Sequence, residues 1–165
     1  MIGTPLLRPT VPCDDAALIA LTDGTGVFKP HEIETLAEVL DDYHRDGAVY
    51  GHDCRTLLVD GEIVGFAYAA PVAMTDRTWE LWWIAVRADS HGRGLGRWLL
   101  DRIEQLAIQQ TARLLLIETS SLPTYESTRQ FYLKRGYRHL ATLPDYYSDG
   151  DDKVIFGKRF SSMPC

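Results

Sequence analysis

The stretch VRADSHGRGLGRWLL, Val86 to Leu100, sets three glycines at alternate positions (Gly92, Gly94, Gly96) between an apolar, strand-like run and an amphipathic helical pattern. Glycine at such a junction lets the backbone come close to a ligand, and the first N–H groups of the following helix have no partner inside it. A helix start of this kind is an anion site, suited to phosphate.

The flanking segments supply the frame. Thr78 to Val86 reads as a long strand rich in tryptophan (Trp79, Trp82, Trp83), and Leu95, Trp98, Leu99, Ile103 and Leu106 recur at helical spacing, which predicts a helix to about Gln110. Leu114 to Ile117 is apolar on both faces, as in a central strand covered by helices. Strand, glycine-rich turn, helix and buried strand make a βαβ unit, so the two strands should be parallel.

Further out, Leu6 to Arg8 predicts a short strand, and Asp14 and Asp15 can cap a helix through about Leu21. Ile33, Leu36, Ala37, Leu40 and Tyr43 mark one face of a helix from Pro30 to Tyr43, with the proline in its first turn. Thr56 to Val59 and Ile63 to Ala70 flank Asp60-Gly61, a dipeptide that favours an antiparallel hairpin. Thr124 to Arg135 predicts a helix stopped by Gly136, and Tyr137 to Thr142 and Val154 to Phe160 predict two last strands. There is no internal repeat.

With 165 residues, 45% hydrophobic and 24% charged, the chain is expected to form a single domain over residues 1–165, burying roughly two-thirds of its unfolded surface. A formal charge of -6 argues against a nucleic-acid partner, which calls for a basic field. Cys13, Cys54 and Cys165 are odd in number and form no CxxC pair, so neither a disulfide framework nor a cysteine metal site is expected. A reducing, cytoplasmic location fits that pattern. The N-terminal segment lacks a basic stretch followed by an apolar core, and no apolar run approaches the ~20 residues of a membrane span, so no membrane association is expected. The absence of asparagine excludes N-glycosylation. His31, His44, His52, His91 and His139 show no metal-ligand spacing, and no metal is expected.

Spacing separates three meanings of the glycine loop. A dinucleotide fingerprint, G-x-G-x-x-G, would need its last glycine at position 97 or 99, where Arg97 and Leu99 stand. A triphosphate loop would need Gly-Lys followed by Ser or Thr, and none is present. What remains, HGRGLG leading into a helix, resembles the acyl-CoA signature of the GNAT superfamily of N-acetyltransferases, namely Gln or Arg, two residues, Gly, one residue, then Gly or Ala. His91 departs from that pattern at the Gln/Arg position, while Gly94 and Gly96 match it. QFYLKRGY, Gln130 to Tyr137, resembles the family's Tyr-Glu-Lys-x-Gly-Phe helix end, and WELWWIAV resembles the strand that enters the phosphate loop. The resemblance covers about Thr78 to Phe160.

The resemblance implies a mixed α/β fold, with a mostly antiparallel central sheet, one parallel βαβ acyl-CoA unit and helices on both faces. It implies acetyl-CoA as donor, no metal, and direct transfer to a primary amine in a ternary complex; homodimers are common in the family. The donor pyrophosphate would lie on the N–H groups of roughly Arg93 to Gly96, with Leu95 between, and the helix dipole would add about 0.3–1 kcal/mol. His91, Gly92, Arg93 and Arg97 would complete the cradle, although the two arginines read equally well as solvated surface charge. Ile84, Ala85 and Val86 would offer freed backbone groups to the pantetheine arm and thioester carbonyl.

Tyr132 stands at the tyrosine that faces the leaving thiolate in the family; unperturbed, its proton is held more tightly than a thiol's, which favours a hydrogen bond over full transfer. Glu80 and Glu118 are candidate general bases, and both also read as strand-end carboxylates. Tyr125 replaces an asparagine often found seven residues before this tyrosine, and Ser127 nearby either compensates or caps the helix. In PDYYSDGDD, Pro144 to Asp152, Asp145, Tyr146 and Tyr147 are candidates for recognising a cationic small amine or a peptide amino group, against the alternative of a solvated turn. The competing function is a noncatalytic acyl-CoA-binding or regulatory module.

Overall fold

The computed structural model describes residues 3–161. It contains seven strands, β1 (Pro5–Pro9), β2 (Asp53–Val59), β3 (Glu62–Pro71), β4 (Thr78–Val86), β5 (Leu114–Ser120), β6 (Arg138–Ser148) and β7 (Asp151–Arg159), and four α-helices, α1 (Asp15–Asp23), α2 (Pro30–Asp42), α3 (Leu95–Gln109) and α4 (Glu126–Lys134). The strands hydrogen-bond in the order β1-β2-β3-β4-β5-β7-β6. The pair β4–β5 is parallel, and the pairs β1–β2, β2–β3, β5–β7 and β6–β7 are antiparallel. Backbone contacts group the chain into two units, one holding the chain up to Pro71 with Trp83–Ile103, the other Val72–Trp82 with Glu104 onward.

In the first unit, the apolar periodicity of α1 and α2 resolves into one core. Leu18, Leu21, Leu36 and Leu40 pack with Cys54, Phe66, Tyr68, Ala70 and Ala85. Burial of such side chains stabilises by about 1.5–3 kcal/mol each. The β2–β3 connection is the tight turn foreseen at Asp60-Gly61, where both residues have positive φ, 53° and 84°. Gly65 on β3 is required for a different reason: a Cβ there would lie 2.7 Å from the Ala85 carbonyl oxygen, so any side chain would push β4 away.

Asp14 does not cap α1 as expected. Its backbone is helical and its side chain makes no cap bond. Instead the buried carboxylate accepts from both Arg8 guanidinium nitrogens (2.6 and 2.8 Å), from the Val11 N–H (3.0 Å) and from the Thr56 hydroxyl (2.9 Å). A charge-assisted bidentate pair outweighs a single capping bond at a site closed to water.

In the second unit, Leu115 and Ile117 of β5 and Phe156 of β7 are buried with Tyr132 and Tyr137. The expected loop from Pro144 to Asp152 is mostly strand: β6 and β7 extend to Ser148 and Asp151, leaving a two-residue turn at Asp149-Gly150. The aspartates explain the difference. Asp145 accepts from the Gly150 N–H (2.7 Å), Asp152 from the Asp145 N–H (2.9 Å), and buried Asp151 from the Ser120 hydroxyl (2.5 Å). Short side chains that satisfy nearby backbone donors fix a hairpin end.

Candidate functional site

In the first unit, Ile84–Val86 end β4 and lead into the glycine loop. The parallel ladder with β5 runs over Thr78–Leu81 of β4, within the second unit. Within the first unit, the Arg87 N–H donates to the Val64 carbonyl (2.8 Å), which holds the strand end against β3. His91 has a definite role here: its imidazole Nε2–H donates to the Val86 carbonyl at 2.6 Å, tying the loop back to the strand it leaves. The departure from Gln or Arg thus retains a side-chain donor.

Gly92 and Gly94 adopt φ of +74° and +76°, and nothing lies within 4 Å of the position a Cβ would take at either. Both therefore open onto free space beside exposed backbone. Gly96 lies inside α3 and has no left-handed φ, so only two of the three glycines are needed for their conformational freedom. The first helical bond of this end runs from the Trp98 N–H to the Gly94 carbonyl (3.0 Å), leaving the N–H groups of Leu95, Gly96 and Arg97 unclaimed within the helix. Arg93 and Arg97 are exposed, and Arg97 pairs loosely with Asp101 at 3.8 Å. This donor set, backbone N–H groups beside two cations, fits a pyrophosphate.

In the second unit, the two candidate bases come together. Strand alternation and the register Glu80↔Leu116 place Glu80 and Glu118 on one face, close enough for the charge of one to act on the other. Burial, then the charge of Glu118, pushes Glu80 above the usual carboxylate range, opposed by the Trp82 indole N–H at 3.3 Å and by Lys153. Glu118 is ion-paired with Lys153, whose Nζ lies 2.5 Å from Glu118 Oε2. Burial works against the charge on Lys153, but the ion pair with Glu118 and the adjoining Tyr146 outweigh that cost and raise its proton affinity.

Lys153 is the residue that sequence reading missed. It follows three aspartates in an apparently solvated stretch, and only the β5–β7 register, Ser120↔Lys153, turns it toward Glu118. Its ammonium sits 3.8 Å from the Tyr146 ring centroid, on the aromatic face foreseen for an acceptor cation. Tyr147 packs edge-on against Tyr146 at 5.0 Å, and burial pushes its phenol up to about 12. Asp145, by contrast, is engaged in the hairpin turn.

Tyr132 belongs to the opposite face. Its ring lies among Phe131, Tyr137 and Phe156, with centroids 5.5, 5.9 and 6.0 Å away, and is 4% exposed. Burial pushes its phenol well above the ordinary value. No hydrogen bond of the Tyr132 hydroxyl is seen to another side chain or to the backbone, so its proton is not committed within the described residues. Ser127 is exposed on α4 and makes no cap, whereas Tyr125 is buried. Cys13 is exposed and Cys54 buried, both as free thiols; Cys165 lies outside the described residues. Among the described residues no cluster of three or more His, Cys, Asp or Glu side chains could hold a metal ion, and no helix is long and apolar enough to cross a membrane.

Comparison with known proteins bears on this arrangement. Residues 51–139 match the acetyltransferase (GNAT) domain. An uncharacterised N-acetyltransferase of Methanocaldococcus jannaschii is 29% identical over 101 residues, 61% of this chain and 62% of that protein's length. A crystal structure from Desulfovibrio desulfuricans, assigned to the GNAT acetyltransferases, superposes with TM-score 0.89 at 32% identity, covering 94% of this chain and 99% of the other. An aminoglycoside 6′-N-acetyltransferase solved with coenzyme A shares the fold, with TM-score 0.72 at 17% identity over 97% of this chain and 99% of that one. With its family domain spanning more than half its length, the chain belongs to the GNAT family of acetyltransferases.

Proposed function

We propose that this chain, an acetyl-CoA-dependent acetyltransferase by family, moves the acetyl group directly onto a primary amine, with Glu80 as general base and Tyr132 as hydrogen-bond donor to the departing thiolate. The observation that carries this reading is the sorting of the two carboxylates. Glu118 is ion-paired with Lys153, whereas Glu80, half-buried beside Glu118, is pushed above the usual carboxylate range. A base with raised proton affinity is better matched to an amine that must lose a proton near neutral pH.

The other parts have distinct tasks. The N–H groups from Arg93 to Gly96 would hold the donor's pyrophosphate, with His91, Gly92, Arg93 and Arg97 shaping and charging the cradle. The backbone of Ile84–Val86, at the end of the strand that enters the glycine loop, would pair with the pantetheine arm and polarise the thioester carbonyl. Attack by the amine forms the new C–N bond and breaks the C–S bond; the amine proton goes to Glu80, and the sulfur takes a hydrogen bond from Tyr132. Raised proton affinity at Tyr132 favours that bond over full proton transfer.

Direct transfer needs no acyl-enzyme, in keeping with the protonated state of Cys54, whose thiol burial pushes up to about 12. We place the reaction in a single domain and in the cytoplasm, consistent with two free thiols. Thiol release from acetyl-CoA across a panel of amines, with mass measurement of the product, tests the reading. Binding of acetyl-CoA without thiol release for any amine would reject it in favour of a noncatalytic acyl-CoA module.

A further inference from the structure

Two carboxylates, one ammonium and three exposed aromatic side chains occupy one face of the second unit. Glu118 Oε2 and the face of Tyr146 together make a seat for a cation, and that seat is filled from within, by Lys153 Nζ at 2.5 Å and 3.8 Å respectively. Lys153 is 9% exposed, so the ammonium is built into the site. Around it Trp82, Tyr146 and Tyr147 are 43%, 53% and 44% exposed, an uncommon display of aromatic surface beside charged groups.

We propose, resting on amine acetylation at Glu80, that Lys153 is a specificity residue: it occupies the cation seat of Glu118 and Tyr146, so that the site takes acceptors with one amino group and an uncharged body and rejects diamines. The charges support this. Glu80 and Glu118 carry at most two negative charges, Lys153 cancels one, and room is left for a single ammonium awaiting deprotonation. A second ammonium on the same acceptor would meet Lys153 instead of a carboxylate, without compensation for its lost hydration. Of the aspartates at the β6–β7 turn, Asp145, Asp151 and Asp152 are engaged in holding the turn and Ser120, and Asp149 stands exposed at its tip, where water screens its charge. The exposed rings suit an apolar acceptor body.

Hexylamine and 1,6-diaminohexane share one carbon chain and differ by one terminal ammonium, so their ratio of kcat/KM reads the seat. Wild type should favour hexylamine at least tenfold. Lys153→Met should shift the ratio tenfold or more toward the diamine, while Lys153→Arg should retain the wild-type preference. Calorimetric titration without acetyl-CoA supplies a readout free of turnover: 1,6-diaminohexane should bind Lys153→Met and not wild type. Equal use of both amines by wild type, or diamine binding by wild type as tight as by a folded Lys153→Met, overturns the proposal. The wild-type ratio decides even where the variant fails to fold. Absence of thiol release with every amine would reject the acetylation reading, and the calorimetric comparison would still decide who occupies the seat.

Discussion

Tyr132 and Glu80 stand on opposite faces of one sheet. Glu80 shares its face with Glu118 and, through the β5–β7 register, with Lys153, whereas the Tyr132 ring packs 6.0 Å from Phe156, which alternates to the other side of β7. In the proposed reaction, with Glu80 taking the amine proton and Tyr132 donating to the sulfur, nucleophile and leaving group would engage separate groups.

Removing the Tyr132 hydroxyl tests one side of this arrangement. A hydrogen bond to a charged group contributes about 1.5–3 kcal/mol, so Tyr132→Phe should lower kcat by roughly 10–100-fold. The ring and its packing remain, and KM for acetyl-CoA should change little. Steady-state kinetics with varied donor measures both, and unchanged turnover would remove Tyr132 from the reaction.

Glu80 should set the acid limb of the pH profile. Its proton affinity is raised by burial and by Glu118, so activity should fall as pH drops through a value above the ordinary carboxylate range, where Glu80 becomes protonated. Glu80→Gln should abolish that limb and lower kcat/KM by about 10²–10³-fold. In Glu118→Gln the limb should move to lower pH, because the charge that raises Glu80 is gone. A limb that stays in place in both variants would assign it to another group.

Backbone conformation at Gly94 should matter to the donor. An L-residue at φ +76° costs about 1–2 kcal/mol, and its Cβ would enter the open space beside the helix start. Gly94→Ala should raise KM for acetyl-CoA about tenfold and leave kcat at saturating donor within a few-fold. An unchanged KM would show that the donor does not approach this backbone.

Asp14 makes stability depend on acid. Its bonds to Arg8, set against the cost of burial, hold its carboxyl at about 2, below an ordinary 3.8. A carboxylate with a depressed folded value contributes stability above its unfolded value and loses it as pH falls through the folded one. At neutral pH this amounts to about 2 kcal/mol. Asp14→Asn should therefore lower Tm by roughly 4–8 °C at pH 7 and converge with wild type near pH 2. Thermal melts at the two pH values measure this, and an undiminished difference in acid would rule out the ion pair as its source.

Local chemistry determined much of this molecule. The strand Thr78–Val86, the helix after Gly94, the Asp60-Gly61 turn and the parallel pair were legible because alternation, helical periodicity and glycine act over a few residues. The open start of α3, proposed as the phosphate cradle, was legible for the same reason, since its N–H groups are consecutive. The fate of Asp14, the hairpin made from Pro144–Asp152 and the seat of Lys153 were decided only in three dimensions. Each depends on pairing between residues distant in sequence: Thr56 with Asp14, Ser120 with Asp151, and Glu118 with Lys153. Which partners a buried charged side chain meets is decided by the pairing of whole strands, whose register depends on the pattern of both strands together and not on the residues beside that side chain.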